Sequence, residues 1–346
     1  MKAVVYHEFG KPLSLEQVDD PSPTPGGVVI EPKATGLCLS DWHGWVGHDP
    51  DIKLPHIPGH EMAGVVVETG VEVNSWKKGD RVTLPFVCGC GTCTYCAEGN
   101  SQICNHQFQP GFTHWVSFAQ YVAIDYAEHN LVRVPEEVDD QTAAILGCRF
   151  ATSFRALVDQ ANLRPGQILA VFGCGGVGLS CIMIAKALQA KVIAIDVDQI
   201  KLNLAAELGA DQIILSTDRA TSEQVIDLTE GGVHVSVDAV GNHEIVKSSL
   251  KSLRKGGKHI QIGLFDPQVA TIPIPFDRMV ANELQLIGSH GMQAARYDKL
   301  MYMITQGLLK PGALIQRRIS LKESLTILPG LNNSKSSGVT LIDSFN

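Results

Sequence analysis

The chain has 346 residues, 45% of them hydrophobic and 18% charged, a composition ordinary for a globular protein but a length beyond what one hydrophobic core usually fills, so two domains are expected. A formal net charge of −8 speaks against nucleic acid or an anionic membrane as the main partner, and the basic clusters at 251–258 and at Arg317-Arg318 read as solvated faces. The opening Met1-Lys2-Ala3-Val4-Val5-Tyr6 alternates like a strand rather than reading as an export signal, which makes the cytoplasm the expected compartment.

Residues 1–149 are rich in Gly, Pro and short strand-like runs, among them Val28-Val29-Ile30-Glu31 and Gly64-Val65-Val66-Val67-Glu68, and predict a β-barrel-like lobe with irregular loops. Two of those loops carry chemistry. Gly36-Leu37-Cys38-Leu39-Ser40-Asp41-Trp42-His43 and Gly59-His60-Glu61 bring a thiol, imidazoles and acid–base groups, and Cys148 in Gly147-Cys148-Arg149-Phe150-Ala151-Thr152 stands at the border of the lobe. Two thiolates, Cys38 and Cys148, with the His60 imidazole would give a zinc ion a three-ligand shell and one open position, as a catalytic centre requires.

A second set of thiols follows a different logic. Cys90, Cys93, Cys96 and Cys104 are separated by two, two and seven residues, a spacing that wraps four thiolates around one ion in a compact loop. Such a closed shell leaves no room for substrate and predicts a structural zinc. Cys88 starts a less regular loop and reads as a small core residue.

From Gln167 the texture changes to apolar strands alternating with helical stretches, with strands expected at 168–172, 192–195, 213–215, 233–238, 259–262 and 284–287. That alternation predicts a doubly wound parallel sheet. The apolar stretch 168–185 is long enough to suggest a membrane span, but the glycines at 173, 175, 176 and 178 divide it into strand, turn and buried helix. In Gly173-Cys174-Gly175-Gly176-Val177-Gly178, the spacing G-x-G-x-x-G permits a tight turn at Gly173, close approach of a pyrophosphate at Gly175 and close helix–strand packing at Gly178. Asp196 ends the next strand, where a carboxylate can accept both ribose hydroxyls of NAD and would repel the extra phosphate of NADP. Its competing reading is the N-cap of the following helix. A helical stretch at 294–306 precedes a mixed tail that ends in the strand-like Val339-Thr340-Leu341-Ile342.

Taken in order, the Met-Lys-Ala strand, the Gly-His-Glu motif, the four-cysteine lobe and the Gly-rich turn resemble the zinc-dependent alcohol dehydrogenases of the medium-chain dehydrogenase/reductase superfamily over essentially the whole chain. The resemblance implies a GroES-like catalytic domain formed by residues 1–149 and 288–346, with a Rossmann domain inserted at 150–287 and the active cleft between them. It implies two zinc ions per chain, NAD as coenzyme, and hydride transfer between a small-molecule alcohol and NAD+ to give an aldehyde or ketone. By motif position, Cys38, His60 and Cys148 resemble the catalytic zinc ligands, and Glu61 a carboxylate able to approach the metal. Asp41 would orient His60, Ser40 and His43 would form the proton relay, and Phe86 would wall the substrate pocket. Thr152 would pack near the nicotinamide, and Lys201 would contact the adenosine ribose.

A polyol, sugar or amino-alcohol dehydrogenase of the same superfamily is the nearest rival, but those relatives generally have a carboxylate where Cys148 stands. A non-catalytic relative would be expected to lose metal ligands. Bacterial members are commonly tetramers, so a homo-oligomer, tetramer or dimer, is expected. The chain departs from the family where Leu39 and the Ser337-Gly338-Val339 stretch replace arginines that touch the coenzyme pyrophosphate. Phosphate binding would then rest on the Gly173–Gly178 turn, unless Arg149 or Arg296 supplies the charge.

Overall fold

A computed structural model describes residues 1–216, 221–265, 271–333 and 337–346. The chain divides into two units, one comprising Met1–Ala151, Gly291–Ser334 and Val339–Asn346, the other Thr152–His290 and Lys335–Gly338. The first border falls at 151/152 and the second at 290/291, where the sequence reading places 149/150 and 287/288. A nearly unbroken helical run, Asp140–Ala144, Leu146–Phe150, Ala151–Arg155 and Ala156–Gln160, passes through the first border, so composition does not mark it.

The first unit is organised by the ten-residue strand Val28–Leu37, which lies antiparallel to Glu61–Thr69 on one side and to Val339–Ser344 on the other. Its β-branched residues Val28, Val29 and Ile30 are buried, as an interior strand of the sheet requires. The register does the functional work. Gly36 pairs with Glu61, so the chain leaving the first strand at Cys38 runs beside the chain entering the second at His60. Strands Arg81–Thr83, Val132–Arg133, Val122–Ile124 and Ile315–Ser320 complete this seven-stranded sheet. Trp45 packs in the adjoining core and donates its indole N–H to the Lys11 carbonyl at 2.8 Å, whereas Trp115 is 44% exposed. The helical stretch near residue 294 starts as a tight turn, Ala294–Arg296, and continues as the helix Tyr297–Thr305, which buries Tyr297, Leu300 and Met301 at helical spacing.

The second unit holds a six-stranded parallel sheet in the order Gln212–Leu215, Lys191–Asp196, Ile168–Phe172, Val233–Asp238, Leu253–Gln261, Gln285–Gly288. The first strand in sequence lies beside the fourth, so strand order reverses at that point, and a doubly wound sheet offers its ligand crevice at the carboxyl ends there. The apolar stretch resolves into the strand Ile168–Phe172 and the helix Gly176–Ala187. Among the described residues no helix is long and apolar enough to cross a membrane.

Candidate active site

Cys38 is the N-cap of the short helix Leu39–Trp45, and its backbone N–H donates to Asp41 Oδ2 at 2.9 Å, closing a capping box. The other oxygen of Asp41 accepts from the Gly59 backbone N–H at 3.2 Å and from His60 Nδ1 at 2.7 Å. One buried carboxylate thus fixes the backbone at Cys38, the backbone before His60 and the ring of His60. An ionised carboxylate can only accept, so Nδ1 carries the hydrogen and Nε2 is the nitrogen left to meet a metal ion.

Among the described residues, Nε2 of His60 is buried with no hydrogen-bond partner. An orphaned polar atom of that kind costs about 1–3 kcal/mol if nothing meets it. What surrounds it is a donor set: Cys38, His60, Glu61 and Cys148 each place a ligand atom within 4.8 Å of the others. Two sulfurs and an imidazole nitrogen suit zinc, so these residues fit the ion that the sequence implies. The two thiols also share charge. A hydrogen bond from Cys148, and then the Arg149 and His60 charges, hold the Cys38 thiol well below its usual range, while Cys38 and burial push Cys148 up.

Glu61 is fully buried, and among the described residues its carboxylate is held by Arg149. Arg149 donates its backbone N–H at 2.9 Å and its Nε at 3.0 Å to Oε1, its Nη2 to Oε2, and its Nη1 to the Leu37 carbonyl at 2.9 Å. Burial pushes the Glu61 carboxyl up, against the pull of Arg149. The guanidinium that the sequence offers to coenzyme phosphate is therefore bonded beside the metal ligands.

Ser40 and His43 sit three residues apart on one face of the helix Leu39–Trp45. Ser40 Oγ lies 3.7 Å from Cys38 Sγ, and the exposed His43 shares a 2.9 Å Nδ1–Nδ1 hydrogen bond with His48. Leu39 opens the helix and is 44% exposed. The Phe86 ring stands edge-on to the His60 ring at 6.2 Å between centroids. Phe112 lies closer, at 5.0 Å, and nothing in the sequence singles it out because it comes from a turn far from both ligand loops.

Cys90, Cys93, Cys96 and Cys104 form the second convergent donor group. Burial pushes the Cys104 thiol up to about 12, opposed by the backbone N–H groups of Cys90 and His106, which donate to its Sγ at 3.4 and 3.2 Å. Gly89 is demanded by packing, since a Cβ there would lie 2.9 Å from Cys96 Sγ. Cys88 lies outside the group, fully buried, with its thiol pushed up by burial.

In the second unit, Gly173 takes φ +93°, a conformation that favours glycine, and a Cβ at Gly178 would fall on the Gly173 carbonyl. A Cβ at Gly175 would meet nothing within 4 Å, so that backbone faces open space at the start of the helix Gly176–Ala187, whose N-terminus no side chain caps. These features fit a pyrophosphate. Asp196 reaches back to this turn: its Oδ2 accepts from the Cys174 N–H at 2.6 Å and its Oδ1 from the Asp198 N–H at 2.9 Å. The next helix is capped by Asp198, not Asp196. Thr152 is buried and Lys201 half-buried.

The chain matches the zinc-binding dehydrogenase family over residues 176–306 and the alcohol dehydrogenase GroES-like domain over residues 24–136. It is 36% identical over 293 residues to an alcohol dehydrogenase of Geobacillus stearothermophilus, covering 84% of each chain. Its fold is similar to the alcohol dehydrogenase TADH from Thermus sp. ATN1, with a TM-score of 0.91, 27% identity and 99% of each chain covered. A solved structure described as an NAD-dependent alcohol dehydrogenase matches with a TM-score of 0.89 at 27% identity, again over 99% of each chain.

Proposed function

This chain belongs to the zinc-dependent alcohol dehydrogenases of the medium-chain dehydrogenase/reductase superfamily, and we propose that it transfers a hydride between a small alcohol and NAD+ at a centre held by Cys38, His60 and Cys148. The observation that carries the site is the buried, unpartnered Nε2 of His60 facing two thiols, with its tautomer set by Asp41. When bound, zinc supplies Lewis acidity toward the substrate oxygen, and NAD+ supplies the hydride acceptor.

The chain's own residues do the rest. Asp41 orients His60, and the two thiolates balance the charge of a divalent cation. Ser40 takes the proton released by the alcohol hydroxyl, and the exposed His43 hands it on to solvent. Phe86 and Phe112 flank the His60 ring and keep water from the apolar side of the site. The Gly173–Gly178 turn, with Gly176 and Val177 opening the helix, holds the coenzyme phosphates. Asp196 and Lys201 take the adenosine ribose, and Thr152 the nicotinamide. The Cys90, Cys93, Cys96 and Cys104 set holds the second, structural zinc.

Nine cysteines without a disulfide suit a reducing compartment, which supports a cytoplasmic enzyme. The test of the activity is direct: incubate the purified protein with NAD+ and a panel of simple alcohols, polyols and sugars while following NADH fluorescence. Turnover of simple alcohols supports the reading. Turnover confined to polyols or sugars, or none at all, overturns it.

A further inference from the structure

We infer that Arg149 is a positioning residue that keeps the Glu61 carboxylate off the fourth coordination position of the Cys38, His60 and Cys148 centre, leaving that position to substrate. The inference rests on the reading of those three residues as metal ligands.

By reach alone, Glu61 could close the site. Its carboxylate belongs to the same group of donor atoms within 4.8 Å, and a fourth protein ligand would complete the tetrahedral shell of a zinc ion. Both of its oxygens are occupied by Arg149, Oε1 by the backbone N–H and Nε, Oε2 by Nη2. Planar, bidentate pairing of this kind fixes a carboxylate's direction, which a lysine's point charge does not. The remaining Nη1 donates to Leu37 at 2.9 Å. Leu37 precedes Cys38, Glu61 follows His60 and Arg149 follows Cys148, so a single guanidinium ties together the three segments that carry the ligands.

The backbone has made room for this pair. A Cβ at Gly36 would fall on Glu61 Oε2 and come within 2.8 Å of Arg149 Nη2. With Glu61 fully buried and Arg149 7% exposed, water does not compete for the pairing.

The test uses cobalt(II) in place of the catalytic zinc and imidazole as a neutral probe of an open position, read from the visible ligand-field spectrum. Wild type, Arg149→Gln, Glu61→Gln and the double variant form a cycle. Wild type and Glu61→Gln are expected to bind imidazole alike, Arg149→Gln at least about ten-fold more weakly, and the double variant to recover to within about two-fold of Glu61→Gln. Arg149→Gln titrating like wild type would overturn the inference. So would a double variant as weak as Arg149→Gln, because Arg149 would then act on the centre without Glu61.

If Arg149→Gln does not fold, Arg149→Lys carries the comparison: weaker imidazole binding reversed by Glu61→Gln supports the inference, and unchanged binding overturns it. Cobalt content is measured separately in wild type and Cys148→Ser. Equal content would overturn the metal-site reading itself, a failure distinct from that of Arg149.

Discussion

Asp41 and His60 are joined by a 2.7 Å hydrogen bond in which neither side chain touches water. The carboxylate also accepts from the backbone of Cys38 and Gly59, so it sets the ring of one metal-site residue and the main chain of another. Asp41→Asn keeps the volume but removes the charge and one acceptor. Zinc at the catalytic centre is expected to bind about 10- to 100-fold more weakly, measured by competition with a chromophoric chelator. Unchanged affinity would show that the ring is held by packing with Phe86 and Phe112 instead.

Two donor groups of different closure predict two metals of different lability. A mild chelator is expected to remove one zinc per chain together with activity, while the four-cysteine lobe keeps the second and the far-ultraviolet dichroism stays unchanged. Fully active protein with a single zinc would contradict this assignment, and metal analysis alongside the activity assay reads it out.

Ser40 lies beside Cys38, whereas His43 is exposed, three residues further on. Ser40→Ala is therefore expected to lower kcat by about 100-fold or more, and His43→Ala by about ten-fold or less, since solvent can replace an outer proton carrier. Steady-state kinetics on both variants distinguishes them, and near-normal turnover in Ser40→Ala would remove the hydroxyl from the proton path.

Asp196 serves two tasks, which shapes the expected outcome of replacing it. Asp196→Ser should erode discrimination against NADP by at least about ten-fold in the ratio of kcat/KM values. It should also weaken NAD binding, because the Cys174 N–H of the phosphate turn loses its acceptor. Equal efficiency of the wild type with both coenzymes would refute the carboxylate's role.

His259 is buried in the second unit as a neutral ring: Ser249 Oγ stands 2.8 Å from Nδ1, and Nε2 donates to Gln261 Oε1 at 3.1 Å. Burial holds its pKa below the ordinary 6.5, only partly offset by Gln261 and Asp238. The sign follows from the two states. Above about pH 6.5 both states are neutral and the contribution is intact; as pH falls below it, the unfolded chain takes up protons that the folded ring refuses, and stability is lost. Thermal unfolding from about pH 8 to pH 5 should therefore fall less steeply for His259→Gln than for wild type. Parallel profiles would show that the ring does not contribute.

Most of the chemistry was legible in the chain because its signals are local. The spacing of Cys90, Cys93, Cys96 and Cys104 limits how far apart four thiols can sit, and the glycines at 173 and 178 mark a turn by what a Cβ would strike. The alternation of strands and helices after Gln167 likewise announced the parallel sheet.

Tertiary structure decided what no spacing encodes. The pairing of Gly36 with Glu61 brings Cys38 beside His60 across more than twenty residues of chain, and strand register is set by which faces are buried. Phe112 reaches the His60 ring from a distant turn, and Arg149, which the sequence offered to coenzyme phosphate, is bonded to Glu61 and Leu37. A guanidinium has five donors and a long flexible stem, so its partner is chosen by whichever buried acceptors the fold brings within reach, and those come from segments remote in sequence.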